Sequence, residues 1–357
     1  MPKLAKFILW RFLQIPLTFF LVTFILYSIF LAFPGEYRLR LFLTSQDFSQ
    51  LSSGLDQELI DELIETHQLN DPFYLQYARW LGNIAKGDWG HSGMMRMDIK
   101  DAYLRFLPAT IELLFYSVLF TIPLSILGGV LAGYRQDRPS DFIFRFLAFV
   151  ATSFPTFILA FILLAVFYVI LYWFQPERIS DATRYFMQTE AFRSYTGLIT
   201  LDGILNGRLD ITMEAARHLV LPVLTLSFAQ WATTGRVTRA AAIDEKKKEY
   251  SVAARARGVS DRNILWRHIL PNILSPALTS SALTSASMVT MLFVVEIIFD
   301  ISGMSSLIVY QMGFAMDVVS VMAFTIFSVM IVMIFMFVLD VCQAIVDPRI
   351  REEVSLS

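Results

Sequence analysis

Six separate stretches of this chain are apolar for long enough to cross a lipid bilayer, covering residues 7–33, 109–134, 146–174, 219–235, 273–299 and 318–346. A hydrocarbon core about 30 Å thick needs roughly 20 mostly apolar residues per helix. Inside it every backbone N–H and C=O must find a partner within the protein, which favours helices. Residues Lys3, Lys6 and Arg11 lead into the first stretch in the manner of a signal peptide. That stretch is too long for one and lacks a small-residue cleavage site after it, so it reads as a retained anchor. The expected fold class is an all-α membrane protein with six transmembrane helices.

Composition agrees and excludes several other classes. Hydrophobic residues make up 56% of the 357, charged residues only 17%, and 32 are Phe. Soluble domains carry about 25% charged residues, so a disordered chain or an ordinary soluble enzyme does not fit. The net charge of −2 gives no basic field for nucleic acid. Cys342 is the only cysteine, so no internal disulfide can form. The four histidines, His67, His91, His218 and His268, stand at no metal-ligand spacing. Neither a catalytic set nor a metal site is expected. Within the stretches only Glu112, Glu296 and Asp340 are acidic, all toward span ends. Their expected environment is water or headgroups rather than a proton relay.

The connecting segments fix the orientation. One side holds the N-terminus, 134–145, 236–271 and the tail, and nets +8; the other holds 34–107, 174–217 and 300–317, and nets −7. Lys and Arg accumulate on the cytoplasmic side, so both termini are expected there. The domain division that follows is 1–33 for the N-terminal end and first span, and 34–107 for an external helical segment. A transmembrane core occupies 108–346, with an external insertion at 174–217 and a cytoplasmic loop at 236–271, before a tail at 347–357.

In the external segment, Leu55, Leu59, Ile60, Leu63 and Ile64 recur at helical spacing with acids opposite, which predicts a short amphipathic helix broken at Asn70-Asp71-Pro72. A second helix carrying Tyr74, Tyr77 and Trp80 should follow, then a turn at Gly87–Gly90. Those aromatics fit an interfacial belt, and the segment reads either as the packing of an external lid or as a partner-docking surface. Segment 174–217 shows no period of either kind.

The loop 236–271 is the most informative and carries 9 of the 29 Lys and Arg residues. Glu249 to Arg257 is helix-forming and ends at Gly258, a residue suited to a left-handed stop. Ser260 or Asp261 can cap a second helix from Arg262 to Leu270, which Pro271 should end. The result is a helix–Gly–helix hairpin with a small Ala face. Leu265 and Trp266 give it an apolar knob, ringed by Arg255, Arg257, Arg262 and Arg267. It suits docking into a groove on a soluble partner, or contact with lipid headgroups.

The run Glu249-Tyr250, Ala253-Ala254-Arg255-Ala256-Arg257-Gly258 and Arg267-His268-Ile269-Leu270-Pro271-Asn272 resembles the "EAA" loop of ABC-importer permeases, most closely the B-type subunit of the oligopeptide/dipeptide/nickel group. Further similarity lies at Leu69–Tyr77, Gly87–Ser92, Leu107–Leu113, His218–Pro222, Glu296–Phe299 and Asp347–Ile350. There are departures. Val252 stands where the general motif has an acid, with Glu249 the nearest one; His268 replaces an Ile; and Pro34-Gly35-Glu36 replaces Pro-Gly-Asp.

The resemblance implies a peptide importer in the bacterial inner membrane, with this chain forming half of the translocation path. The hairpin would be the coupling helix. Ala253, Ala254 and Gly258 would shape it, Glu249, Arg255 and Arg257 would make polar contacts to an ATPase, and Leu265 and Trp266 would add apolar contact. The implied partners are two ATPase subunits holding ATP and magnesium, a second permease subunit of different sequence, and an external substrate-binding protein. This chain has no Gly-x-x-x-x-Gly-Lys-Ser/Thr loop, so it would bind no cofactor itself. Thr279, Ser280, Thr284, Ser285 and Thr290 in the fifth span are candidates for lining the path, although small polar residues also serve helix packing. The competing readings are an ATP-independent secondary transporter or channel, an importer of nickel or another small solute, and an intramembrane enzyme. Few intramembrane charges and no nucleophile–base pair support them.

Overall fold

A computed structural model describes residues 2–32, 38–39, 41, 57–92, 95–189, 191–309 and 318–346. The turn at Pro34-Gly35-Glu36, the first residues of the 55–64 helix and the Asp347–Ile350 motif lie outside these. The chain divides into two compact units: one of Met1–Phe12, Thr110–Ile301 and Val332–Ser357, the other of Leu13–Ala109 and Ser302–Ile331. Apart from one two-stranded hairpin, the described regular structure is helical.

Among the described residues each of the six apolar stretches is carried mainly by helix, in three different ways. Helices α1 (Pro2–Phe30), α4 (Ile99–Tyr134), α12 (Leu270–Ile298) and α14 (Val318–Val346) each contain a window long and apolar enough to cross a bilayer. The third stretch departs from the expected straight span. It is a pair, α5 (Pro139–Ser153) and α6 (Thr156–Leu163), the latter running into a π-helical turn at Leu164–Ile170, and the two halves bend by 100°. The cause is local: Pro155 excludes Phe154 from the α region, and Phe154 is extended at φ −106°, ψ 132°. The fourth stretch lies inside α9 (Leu209–Lys247), a 39-residue helix that is long enough but less apolar. It can be so because it is the central helix of its unit. Its buried residues include Leu219, Leu226, Trp231, Thr234 and Thr238, which protein rather than lipid covers.

Two glycines explain how close that packing is. A Cβ at Gly129 of α4 would lie 2.5 Å from the Gly235 carbonyl oxygen and 2.7 Å from Thr238 Cβ; one at Gly133 would lie 2.5 Å from the Arg239 carbonyl oxygen. The Gly-x-x-x-Gly spacing therefore lets α4 meet α9 backbone to backbone, as small residues do between membrane helices. At the end of this contact Asp141 is fully buried and takes a bidentate pair from Arg239, Nε–Oδ1 2.5 Å and Nη2–Oδ2 2.8 Å.

The second unit contains α2 (Gln57–Thr66) and α3 (Phe73–Lys86), with Pro72 at the N-cap of α3 and Gly87 ending it at φ +88°. Tyr77 and Trp80 are buried and Tyr74 is exposed. The buried pair packs on α1: Tyr27 lies 5.2 Å from Trp80 between ring centroids, and Thr23 Oγ1 is 3.0 Å from the Tyr77 hydroxyl. Packing, not an interfacial belt, accounts for these two aromatics. Strands β1 (His91–Ser92) and β2 (Met97–Asp98) pair antiparallel, and Trp89 stacks on Phe327 at 4.6 Å.

Segment 174–217, featureless in sequence, forms a small folded insertion. It contains α7 (Asp181–Met187), α8 (Ile199–Leu205) and the first turns of α9 around Ile179, Phe192, Ile199, Ile211 and Ala215. Asp202 is its knot. Buried at 1% exposure, it accepts bonds from the Ser194 hydroxyl, the Thr196 N–H and hydroxyl, and the Gly197 N–H. Burial pushes the Asp202 carboxyl up, but these donors outweigh it and leave the group below the usual carboxylate range.

The three acids within the spans are buried, not wetted as expected. Glu112 accepts from Arg178 (2.5 Å) and from the N–H and hydroxyl of Thr200 (2.8 and 2.7 Å). Thr110 donates to Glu296 at 2.5 Å, and Asp340 lies 3.3 Å from Arg11. Sequence alone hid the partners of Glu112 because Arg178 and Thr200 come from the insertion.

Candidate functional site

The hairpin forms where the loop 236–271 was expected to carry it. Helix α10 (Glu249–Ala256) ends in a Schellman turn: Val259 N–H bonds to the Ala254 carbonyl at 3.1 Å and Gly258 N–H to that of Arg255 at 3.0 Å. Gly258 sits at φ +77°, a conformation that β-branched residues rarely adopt, yet a Cβ there would meet nothing within 4 Å. Ser260 then accepts from the Asn263 N–H at 3.4 Å and caps α11 (Asp261–Asn263).

The second arm does not stop at Pro271. Helix α11 passes into a π-helical turn at Ile264–Ile269 and on into α12, so residues 261–298 run as one span-length helix. Pro271 falls in the first turn of α12, where a missing N–H is least costly. The hairpin is thereby continuous with the fifth span.

Burial divides the expected coupling residues. Ala254 and Leu265 are buried, packed with Ile126, Val130, Ala242, Ile264 and Ile269. They hold the hairpin onto the spans and are not available to a partner. Glu249, Ala253, Arg255, Arg257, Gly258 and Trp266 are exposed. On α10 the outward face is Glu249, Val252, Ala253 and Ala256, at i, i+3, i+4 and i+7. Val252 and Ala256 belong to that face although sequence reasoning passed over them. Val252 is 53% exposed, where an acid was expected.

A polar clamp sets the inner side. Tyr250 donates to Glu245, and Asn272 Nδ2 donates to the Tyr250 hydroxyl at 3.2 Å and to the His268 carbonyl at 2.7 Å. Ser251 Oγ donates to the Glu245 carbonyl at 2.9 Å. Burial, and then the bond to Glu245, push the Tyr250 hydroxyl above its ordinary value, so it stays a donor at neutral pH. The clamp spans both arms and fixes the pitch of α10 against α12.

The candidate path residues also separate. Thr284 and Ser285 are buried, and Thr284 Oγ1 lies 3.0 Å from Thr234 Oγ1 on α9, which is packing. Ser280 is half-buried. Thr279 and Thr290 lie on one exposed stripe of α12 with Leu283, Ser287, Val294 and Ile297, and Gln343 donates to Thr279 at 2.6 Å. Among the described residues no group of three His, Cys, Asp or Glu is placed to hold a metal ion.

Long apolar helices around a close-packed centre, with a rigid two-arm hairpin projecting from one end, define a membrane permease. The sequence profile described as "binding-protein-dependent transport system inner membrane component" matches residues 125–352, more than half of the chain, and the chain belongs to that family. It is similar to the oligopeptide transport system permease protein AppB of Bacillus subtilis, at 29% identity over 292 residues, 82% of this chain and 84% of the relative. The dipeptide transport system permease protein DppB of Alkalihalophilus pseudofirmus is 28% identical over 84% of this chain and 88% of its own length. The oligopeptide transport system permease protein OppB of Haemophilus influenzae is 26% identical over 98% and 100%. The protein is therefore a multi-pass inner-membrane transport component.

Proposed function

We propose that this chain forms half of the translocation path of an ATP-driven importer of di- and oligopeptides, and that α10 docks into a separate ATPase subunit. The observation that carries the coupling role is the division of the hairpin. One face is clamped to the spans, and the opposite face, Glu249, Val252, Ala253 and Ala256, is exposed. A displacement of α10 reaches the fifth span through the Tyr250–Asn272 bond, the shared apolar core and the second arm, which continues into α12. Two such chains pushed together by ATPase closure would rock between inward- and outward-facing states, as alternating access requires. ATP and magnesium would sit on the ATPase subunits. A second permease chain would complete the path, and an external binding protein would deliver the substrate. The excess of Lys and Arg beside the hairpin supports a cytoplasmic position for it and for both termini. Peptide as substrate is supported by the names of the relatives.

The test is gentle extraction of the tagged chain from its native membrane, with mass spectrometry of what accompanies it. Recovery of an ATPase with a phosphate-binding loop and of a second permease chain is expected. Repeated recovery of this chain alone in several mild detergents would reject the coupled importer.

A further inference from the structure

A cavity of about 920 Å³ opens between the end of α4, the turn into α5 and the hairpin. Five cations line it: Arg135, Arg138, Lys246, Arg255 and Arg262. The acid in its lining, Asp261, is already engaged, accepting from the Tyr134 hydroxyl at 2.5 Å and lying 3.8 Å from Arg255 Nε. Lys246 donates to the Tyr134 carbonyl at 2.8 Å. Arg135, Arg138 and Arg262 are exposed and have no carboxylate partner among the described residues. Three uncompensated guanidiniums around one cavity call for an anion, and guanidinium geometry suits phosphate.

The apolar wall says which kind. Leu131 lines the cavity and is also the last member of an exposed stripe on α4, Phe120, Leu124, Leu127 and Leu131, at i, i+4, i+7 and i+11. From Phe120 to Leu131 the helix rises about 17 Å, about half the thickness of a hydrocarbon core and the reach of one leaflet's acyl chains. The stripe consists of large side chains, whereas contacts between membrane helices favour small ones. The small residues of α4, Gly129 and Gly133, point instead at α9. The stripe is thus a lipid-facing surface that runs directly into a basic cavity, and Tyr134 and Trp266 flank it at the level where amphipathic rings sit.

We infer that this cavity binds the phosphate headgroup of an anionic phospholipid whose acyl chains lie along the α4 stripe. Basic pockets at the cytoplasmic ends of membrane helices are suited to such headgroups. The inference is independent of the transport reading, since it needs neither ATPase nor substrate.

The test is native mass spectrometry of the full chain in mild detergent, titrated with phosphatidylglycerol or phosphatidylcholine of identical acyl chains. Phosphatidylglycerol should be retained at a concentration at least tenfold lower. Arg135→Ala, Arg138→Ala and Arg262→Ala combined should abolish that preference, and the three Lys versions should keep most of it. Alanine at the exposed Arg236, Lys247 and Arg267 should leave it intact, which separates the cavity from general positive charge. Equal retention of the two lipids, or a preference that survives the triple Ala variant, would overturn the site. Glycerol 3-phosphate binding as tightly as phosphatidylglycerol would assign the cavity to a soluble phosphate and overturn the lipid. A triple Ala variant that loses the ATPase while keeping the lipid preference would make the cavity a protein-docking surface and overturn it as well.

Discussion

The hairpin at 249–271 and the insertion at 174–217 interrupt the same helical unit, yet they use their polar residues in opposite ways. The insertion turns them inward. Asp202 collects donors from its own loop, Glu214 accepts from Ser180 and Thr183, and Arg178 reaches Glu112 on α4. The hairpin turns inward only what fixes its pitch, the Tyr250–Glu245–Asn272 clamp and a small apolar core, and leaves a helical face uncovered. A segment that satisfies itself needs no partner; one that is rigid and half-covered is suited to having one.

The largest effect is expected at the turn of the hairpin. Gly258→Val should abolish transport-coupled ATPase stimulation while membrane insertion is unchanged. No side-chain clash is involved, since the position is open, so the cause is backbone strain of about 1–3 kcal/mol at positive φ. Gly258→Asn, which tolerates that conformation, should retain most of the stimulation. Equal loss in both variants would mean that the turn's geometry is not what matters.

Next in size, Asp202→Ala should open the insertion and leave the hairpin alone. Several donors would lose their acceptor, at about 1–3 kcal/mol each when buried. Amide exchange across 194–206 should accelerate by roughly a hundredfold, with residues 249–258 unaffected. Acceleration in both regions would dissolve the distinction between them.

The smallest expected effect is a pH dependence of the same region. The Asp202 and Glu214 carboxyls lie below their ordinary values of 3.8 and 4.5 in the folded protein. A depressed folded value means that the unfolded insertion binds protons first. The stabilisation is complete above the ordinary values and declines as pH falls through the lowered ones. Exchange at 194–206 should therefore be flat from neutral pH to about 5 and rise below about 4 beyond the intrinsic pH dependence of the chemistry. In Asp202→Asn most of that rise should vanish.

Much of this was legible in the sequence. Span-length apolar runs can do little else in a bilayer, so the helices were readable from length alone. Gly258 was readable because a helix-forming run stops there. What escaped depends on neighbours distant in sequence. Pro271 looked like a terminator, and the π turn before it places it where its missing N–H does little harm. Leu265 and Ala254 looked available, but Ile126 and Val130 of α4 cover them. The burial of Glu112 could not be read without knowing that Arg178 and Thr200 fold back upon it. The insertion has no period because its helices are seven residues long and its order comes from two carboxylates, Asp202 and Glu214, around a small apolar core.

The most direct measurement is cysteine cross-linking in the complete complex. The native cysteine would first be removed as Cys342→Ser; Ala253→Cys on the outward face of α10 would then be compared with Leu201→Cys, exposed on the insertion. A short maleimide–benzophenone cross-linker, which needs no thiol on the partner, should join residue 253 to an ATPase subunit and leave residue 201 unlinked to it. Linkage from 201, or none from 253 while the ATPase co-purifies, would contradict the assignment of α10 as the coupling surface.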